Sequence, residues 1–448
     1  MNILLISVNT EEAPYPVYPL GMSTVASALE KGGHSVSQAD MLYAKQNKSE
    51  YLDKKIKECS PDVIGISLRN IDNVDYFTSE QHWQLDSLRL LIEKIRLQTT
   101  AAIILGGGGF SIMPEKILEY CNADYGIVGE GELSFCILLE QLEKNEKISK
   151  IFKSDMRCKG VEMNSPLYDD LLLDFYAQES GVLNIQTKRG CPNNCLYCTY
   201  PMLEGRVVRP REIEAVIEDI KYIIHRHKGC EIFFTDAVFN DHNGHWLTLV
   251  EAMAKAGLVI PWTAFFEPTG LSKSELSLCM RTGLKAVEFG TDATSDATLK
   301  GMKKRFNFES VLSSTNLCNS LDLPSAHFVI FGGPKETEAT LKEGLNNLDL
   351  LTNSLVFAFL GIRIYEESPL MRYAVNEGTI EPQTNCLQPR YYFSPHINEA
   401  DATIIIKNHF RRNKLRIFPP EKGQEKIHAL RNLGYRGVLW DQLVMRKK

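Results

Sequence analysis

The sequence has 448 residues, of which 44% are hydrophobic and 24% are charged, and its formal net charge is −6. This length allows two or three domains, and the composition is that of an ordinary soluble globular protein. The negative charge gives no support to nucleic acid or an anionic membrane as a partner. No apolar run reaches the length of a transmembrane helix.

The first 145 residues alternate short apolar segments with amphipathic ones. This alternation predicts a Rossmann-like, doubly wound parallel sheet, whose ligands bind beyond the carboxyl ends of its strands. Residues 1–7 lack the basic region and cleavage site of a signal peptide, so we interpret them as a strand. The predicted strands are residues 3–7, 35–39, 63–67, 101–105 and 125–128, and the predicted helices are residues 20–31, 49–59, 84–97 and 132–142.

Glycine-rich loops follow the fourth and fifth predicted strands, as Gly106-Gly-Gly-Gly-Phe110 and Gly129-Glu-Gly131. Glycine permits close backbone approach to a bulky partner. The first run is not a Gly-x-Gly-x-x-Gly fingerprint, and a tight structural turn explains it equally well. Both loops are therefore candidate ligand-binding segments with a structural alternative.

Residues 146–180 show no sustained period and are predicted to be a connector. Between residues 181 and 380 the alternation resumes, with predicted strands at 182–187, 231–236, 262–266, 286–290, 327–331 and 356–361. Six such units predict a partial (β/α)6 barrel of the TIM type, whose chemistry lies at the carboxyl ends of the strands. Residues 381–448 are predicted to form a small α+β region that caps the barrel and lines the substrate pocket.

Three of the eleven cysteines lie within eight residues after the first barrel strand, as Cys191-Pro-Asn-Asn-Cys195-Leu-Tyr-Cys198. Thiolate sulfur is a soft ligand suited to iron–sulfur clusters or zinc. A closed [4Fe–4S] site normally takes four cysteines, so a set of three can leave one iron open. Structural zinc sites show a second ligand pair, and none follows here. A zinc knuckle and three unrelated buried cysteines are the alternatives.

This Cys-x3-Cys-x2-Cys loop, with Tyr197 before its last cysteine, resembles the signature of the radical S-adenosylmethionine (SAM) enzymes. The resemblance implies a [4Fe–4S] cluster on the three cysteines, with SAM chelated to the open iron and cleaved to a 5′-deoxyadenosyl radical. It also implies SAM contacts in the cysteine loop and at the barrel strand ends. Those positions are Tyr197, Asp236, Asn240, Asp292, Gly332 and Arg363. Helix capping is the usual role of such aspartates and is the alternative for them.

The amino-terminal loops resemble the cobalamin-binding domain of the B12-dependent branch of that family. The resemblance is carried by Tyr18-Pro-Leu-Gly21, Ser67-Leu-Arg-Asn-Ile-Asp72, Leu105-Gly-Gly107 and Val128-Gly-Glu-Gly-Glu132. It implies cobalamin contacts at Leu20, Gly21, Arg69, Asn70, Gly106, Gly107, Gly108, Gly129, Glu130 and Gly131. The Asp-x-His-x-x-Gly motif, whose histidine ligates cobalt from below, is absent. The resemblance places Arg69 at that lower face, where a protonated guanidinium cannot coordinate; a surface ion pair is the alternative.

Together the two resemblances imply a cobalamin-dependent radical SAM enzyme. We expect a methyltransferase that moves a methyl group from SAM, through methylcobalamin, to an unactivated carbon of a small-molecule or lipid substrate, with no individual catalytic residue assigned. A low-potential flavodoxin-like or ferredoxin-like protein would supply electrons. The singly scattered remaining cysteines favour a reducing cytosol, and so a cytoplasmic location. The alternatives are a non-methylating rearrangement, cyclisation or oxidation on the same cofactors, a non-catalytic cobalamin or redox sensor, and a zinc or nucleotide-binding protein.

Overall fold

The computed structural model describes residues 1–153 and 156–444, which form two parallel α/β units and a carboxyl-terminal region. Residues 154–155 of the predicted connector and residues 445–448 of the predicted carboxyl-terminal region lie outside the described residues. No helix in the described part of the chain is long and apolar enough to cross a membrane.

The amino-terminal unit is a six-stranded parallel sheet in the order β2-β1-β3-β4-β5-β6. Five of its strands are those predicted from the sequence, and the sixth comes from the predicted connector. The strands are β1 Asn2–Ser7, β2 Ser35–Asp40, β3 Val63–Ser67, β4 Ala102–Gly106, β5 Tyr125–Val128 and β6 Ile151–Lys153. The helices are α1 Leu20–Lys31, α2 Lys48–Cys59, α3 Leu85–Arg96, α4 Gly108–Ile112, α5 Pro114–Cys121 and α6 Gly131–Glu143. This sheet confirms the predicted doubly wound fold.

Helix α7 Asp170–Glu179 leads into a second parallel sheet, in the order β17-β14-β13-β12-β11-β10-β7. Its strands are β7 Val182–Ile185, β10 Glu231–Phe234, β11 Trp262–Phe266, β12 Val287–Asp292, β13 Ser325–Phe331, β14 Ser354–Leu360 and β17 Arg416–Ile417. Two short pairs flank it, β8 Lys188–Arg189 with β9 Arg209–Pro210 and β15 Ile362–Arg363 with β16 Tyr391–Tyr392. The six predicted barrel strands are present, and the carboxyl-terminal region adds β17 as a seventh.

Helices α8 Tyr200–Leu203, α9 Ile213–Arg226, α10 His245–Lys255, α11 Lys273–Arg281, α12 Asp296–Gly301, α13 Phe308–Ser320 and α14 Glu338–Leu350 lie between these strands. They are followed by α15 Pro369–Glu377, α16 Glu399–Phe410 and α17 Glu421–Asn432. Local sequence explains their limits. Ser272 and Glu275 form a reciprocal capping box at the start of α11, and Asn307 caps α13. The apolar face of α9 is buried against the sheet.

The carboxyl-terminal region reaches both ends of the barrel. Phe393 lies against Gly332 and Gly361 at the carboxyl ends of β13 and β14. Trp440 instead lies at the amino ends, where its Nε1 donates to Glu288 at the start of β12. The prediction that this region caps the catalytic mouth therefore describes only its first part, since residues 438–444 close the opposite end. Apolar residues of the barrel sheet and this segment bury one another there.

Candidate active site

The cysteine loop is held in place at several points of its backbone. Cys191 N donates to Gly205 O at 3.0 Å, and Cys198 N donates to Cys195 O at 3.2 Å. Leu196 N donates to Met302 O at 3.0 Å, which fastens the loop to the segment after β12. The three thiols therefore sit on a rigid turn after the first barrel strand, as the sequence predicts.

The electrostatics of these thiols suit a metal cluster. Burial raises the pKa of Cys191 and Cys195, and it raises the pKa of Cys198 to about 12, helped by the charges of the other two. Three thiols this close ionise together only when a positive centre compensates their charge. Within residues 1–153 and 156–444, no group of His, Cys, Asp and Glu converges tightly enough for a single metal ion. A cluster that binds each thiolate to a different iron fits the donor set.

Asp292 and Lys304 form a buried polar group beside the cysteine loop. The Tyr197 hydroxyl and the Lys304 ammonium both donate to Oδ2 of Asp292. Asp292 is 6% exposed and has a φ of +61°, at a register shift where β12 ends. Lys304 was not predicted, and its positive charge favours thiolate at Cys191, Cys195 and Cys198. Tyr197 and Asp292 thus contact each other, and their contact with SAM stays a prediction.

Two other predicted SAM contacts use their side chains within the protein. Asp236 accepts from Thr187 N at 2.7 Å and from Lys188 Nζ at 2.8 Å, and all three residues are buried. Asn240 donates from Nδ2 to Glu267 O at 2.9 Å and accepts at Oδ1 from Glu267 N at 2.8 Å. Both side chains therefore tie neighbouring strand ends together, and their contact with SAM stays a prediction.

Arg363 also differs from its expected setting. Its guanidinium is 5% exposed and donates to Asp72 Oδ2 at 2.8 Å, Ile364 O at 2.6 Å and Cys386 O at 3.0 Å. These bonds use all three nitrogens of the guanidinium, so in this conformation Arg363 joins the amino-terminal unit to the barrel. Its SAM contact stays a prediction.

The remaining predicted SAM contact is Gly332, directly after β13. Its N–H donates to the buried carboxyl of Glu336, and its carbonyl accepts from Ser394 N at 2.9 Å. Burial raises the pKa of Glu336 to about 8. This Gly-Gly-Pro turn is therefore held by a side chain that the sequence reading did not single out.

Glu267, at the end of β11, is a further residue that the sequence analysis missed. It is 7% exposed, and its carboxylate accepts from Asn193 Nδ2 at 3.4 Å within the cysteine loop. His242 Nε2 lies 3.1 Å from its other oxygen. The only sequence signal was its place directly after a predicted barrel strand.

The loops of the amino-terminal sheet meet the cysteine region. A Cβ at Gly108 would lie 3.6 Å from Arg69 O and 3.7 Å from Leu203 Cδ1. Helix α8, which contains Leu203 and follows Cys198, packs against α4, which begins at Gly108. Gly107 has a φ of +95°, and a Cβ there would come within 2.5 Å of Leu68 O. This glycine run therefore makes the tight turn that the sequence left open as the alternative to ligand approach.

Arg69 faces this junction without a fixed partner. Its guanidinium makes no hydrogen bond or ion pair within the described part of the chain. Burial lowers its pKa, and the nearby carboxylate of Glu11 acts in the opposite direction. The alternative of a surface ion pair is therefore wrong. Its neighbour Asn70 is exposed, and Gly21 and Gly129 have open space on their Cβ side.

Glu130 lies in an ion-pair network instead of facing open space. It accepts from both terminal nitrogens of Arg209 and from Cys158 N at 2.9 Å, and Glu132 accepts from Arg189 at 2.6 Å. Arg189 and Arg209 belong to the barrel pair β8 and β9. The loop of Gly129–Gly131 is thereby anchored to the second unit, and its cobalamin contact stays a prediction.

Comparison with known proteins identifies both units. The B12 binding domain family matches residues 6–139, and the Radical SAM superfamily matches residues 185–348. The chain belongs to the cobalamin-dependent radical SAM enzymes. The predicted family, fold class and cofactor set of a [4Fe–4S] cluster, SAM and cobalamin are thereby confirmed.

Relatives of this cobalamin-dependent radical SAM enzyme span most of its length. It is 25% identical to an uncharacterized methyltransferase of Pyrococcus horikoshii, over 82% of this chain and 83% of that protein. It is 22% identical to the tryptophan 2-C-methyltransferase of Streptomyces laurentii, over 80% and 72%. The structure of TsrM from Kitasatospora setae, with cobalamin and a [4Fe–4S] cluster bound, superposes with a TM-score of 0.85 at 21% identity, covering 99% of this chain and 97% of TsrM. OxsB superposes with a TM-score of 0.72 at 17% identity, covering 96% and 70%.

Proposed function

We propose that this protein is a methyltransferase that moves a methyl group from SAM, through cobalamin, to an unactivated carbon of a small-molecule or lipid substrate. The observation that carries the proposal is the packing of α8 on α4, because it brings the helix after the cysteine loop next to the glycine loop that contacts the backbone of Arg69. The methyltransferases among the relatives support the same reaction type. When bound, the cluster supplies the electron that cleaves SAM and cobalamin carries the methyl group.

In this proposal the chain's own residues hold and orient the reactants. Cys191, Cys195 and Cys198 hold the cluster, and the buried ammonium of Lys304 offsets part of their negative charge. Arg69 places a cation that cannot coordinate metal beneath the corrin. The predicted cobalamin contacts around it are Leu20, Gly21, Asn70, Gly106, Gly107, Gly108, Gly129, Glu130 and Gly131.

We further propose that Tyr197, Asp236, Asn240, Asp292, Gly332 and Arg363 contact SAM. Asp236, Asn240 and Arg363 also hold the loops around it, through the hydrogen bonds that they make within the protein. Interactions of this kind place reactants without taking part in the chemistry.

The two units divide the work. Residues 1–145 hold cobalamin, residues 146–180 connect, residues 181–380 hold the cluster and SAM, and residues 381–448 complete the substrate pocket. A low-potential electron donor of the flavodoxin or ferredoxin type acts on the protein in the cytoplasm, where thiols stay reduced.

Anaerobic reconstitution with iron, sulfide and hydroxocobalamin tests this assignment. Replacing Cys191, Cys195 or Cys198 by Ala should abolish the cluster absorbance while corrin uptake survives, and Cys59→Ala should change neither. Loss of corrin with retention of iron in the three variants contradicts the assignment.

Product analysis then separates the reaction types. A methyltransferase releases S-adenosylhomocysteine with substrate, whereas a rearrangement, cyclisation or oxidation does not. A sensor cleaves no SAM at all, and zinc in place of iron would overturn the whole proposal.

A further inference from the structure

Aromatic rings line the inner face of the barrel in an unbroken series. Tyr15 enters from the amino-terminal unit, and its ring centroid lies 6.3 Å from that of Phe233 on β10. Phe233 lies 5.2 Å from Phe265 on β11, Phe265 lies 6.0 Å from Phe328 on β13, and Phe328 lies 5.4 Å from Phe357 on β14. We call these five rings the aromatic arc.

The arc borders an open space. Phe265 is 37% exposed although β11 is hydrogen-bonded to strands on both sides. Its neighbour Phe266, on the outer face, is only 1% exposed. Side chains alternate between the two faces of a strand, so the exposed surface of Phe265 looks into the barrel. Gly290 on β12 shares this inner face with Glu288, and a Cβ there would have nothing within 4 Å. The inner face therefore has an open space at Gly290, beside the exposed part of Phe265, which we call the slot.

The carboxyl group of Glu288 lies beside this slot, two positions before Gly290 on β12. Glu288 is 5% exposed, pairs in register with Phe265, and accepts at Oε1 from Trp440 Nε1 at 2.8 Å. Its second oxygen, Oε2, has no partner within residues 1–153 and 156–444. Burial raises the pKa of Glu288 to about 8, and the charge of Glu231 adds to the rise. The group is therefore a neutral acid at pH 7, and the bond from Trp440 leaves its proton on Oε2.

The ammonium group of Lys285, the lysine near Glu288, is already used in ion pairs. Lys285 Nζ lies 3.1 Å from Glu231 and 3.3 Å from Asp441, so its charge is already paired. Trp440 and its neighbours close the barrel below. The slot is therefore bordered by the ring of Phe265 and has the carboxyl group of Glu288 at its edge.

We propose that this space binds the ring of the substrate, and that the substrate is a planar aromatic or heteroaromatic molecule with an uncharged hydrogen-bond acceptor that receives the Oε2 proton of Glu288. Aromatic rings favour edge-to-face and offset contacts with other rings over contacts with saturated groups. Glu288 offers a proton donor to the slot, so a neutral acceptor fits it better than a charged group does. The inference rests on the proposed function, because it names the substrate class of that same site.

Binding of three ring probes to the full-length protein, loaded with cluster and hydroxocobalamin, tests the proposal. Quinoline has a flat ring and an acceptor nitrogen, indole has a flat ring and only a donor, and cyclohexanone has an acceptor on a saturated ring. Saturation-transfer NMR titration should rank quinoline tightest. Gly290→Val, which fills the slot, should weaken quinoline about ten-fold or more, while iron and cobalamin contents stay unchanged. Leu350→Val, on the exposed side of α14, is the matched control and should have no effect.

The role of Glu288 is tested by two variants. Glu288→Gln keeps an acceptor for Trp440 and a donor for quinoline, so it should bind quinoline as the wild type does. Glu288→Leu should lose about five-fold, which is the size of one neutral hydrogen bond, and only for the probe with an acceptor on a flat ring. Unchanged quinoline binding in Gly290→Val, equal behaviour of the two Glu288 variants, or tighter binding of cyclohexanone would overturn the proposal. Ring binding is measured without SAM turnover, so failure of methyl transfer would be seen separately.

Discussion

The buried ion pair between Asp72 and Arg363 joins the two units, and removing it tests how they are held together. Arg363 Nε donates to Asp72 Oδ2 at 2.8 Å, and the two side chains are 3% and 0% exposed. Asp72 also accepts from Val74 N at 3.0 Å through its other oxygen, which shapes the loop that carries Arg69. Asp72→Ala should therefore destabilise the protein and loosen the candidate cobalamin site.

The size of the effect follows from the partners that remain. Breaking a buried pair costs about 3–5 kcal/mol. In Asp72→Ala the guanidinium keeps the carbonyls of Ile364 and Cys386, so we expect about 3 kcal/mol, toward the lower end of that range. Arg363→Ala leaves those carbonyls and the carboxylate of Asp72 without their hydrogen-bond donor. The loss in the free energy of unfolding should therefore be nearer to about 5 kcal/mol. With an unfolding entropy of about 2.1 cal/mol/K per residue, 3 kcal/mol corresponds to roughly 3 °C in Tm if the whole chain unfolds as one unit.

Calorimetry of the anaerobic apoprotein measures this shift, and Asp72→Asn, which keeps the size and an acceptor, is the matched control. The double variant Asp72→Ala/Arg363→Ala should cost less than the sum of the singles by at least about 1 kcal/mol, because both remove one interaction. A shift below about 1 °C for Asp72→Ala, or strictly additive costs, would refute the idea that this pair fastens the units.

Three further variants test other parts of the structure. Gly107→Ala should destabilise the protein by more than about 2 kcal/mol, because the new Cβ would meet Leu68 O and the backbone has a positive φ. Gly129→Ala has the same kind of φ, +85°, but open space around the Cβ, so it should cost only about 1 kcal/mol. Equal melting temperatures of the two variants would contradict this. Arg69→Met should lower the reduction potential of bound cobalamin more than Arg69→Lys does, because only the lysine variant keeps a cation there. Spectroelectrochemistry measures both potentials, and equal values would contradict this role of Arg69. Glu336 keeps its proton up to about pH 8 in the folded protein, whereas the unfolded chain releases it from about pH 4.5 upward. The free energy of unfolding in urea should therefore fall between about pH 4.5 and 8 in the wild type and change less in Glu336→Gln. Parallel pH profiles of the two proteins would count against a buried neutral acid.

Local pattern predicted most of the architecture because strands buried on both faces read as apolar runs, and helices repeat every 3.6 residues. All eleven strands predicted for the two units exist. The strands in the described part of the chain that escaped prediction are β6, β8, β9, β15, β16 and β17. Each has two or three residues, which is too short for a periodic signal. The helix α4 was missed because its glycines predict a loop.

The candidate site residues also differ in how far along the chain their partners lie. A contiguous motif such as the cysteine loop carries its own geometry, so its ligands were readable one by one. Asp236, Asn240 and Arg363 depend on partners far along the chain, with Asp72 separated from Arg363 by 291 positions. No local pattern reports whether such a side chain is already bonded.

The sequence by itself determined the two α/β units and the thiolate set, because these follow from hydrophobic period and from residues close together in the chain. The cofactors were implied by the resemblance of its motifs to a known family. Tertiary structure alone decided which polar side chains are free, since a hydrogen bond depends on distance and angle between groups that folding brings together. Among the residues that the structure describes, it left Arg69 and Oε2 of Glu288 without hydrogen-bond partners, and it used Glu130 and Arg363 to hold the units together. Burial removes water as a substitute partner, so these placements set which groups remain for a ligand.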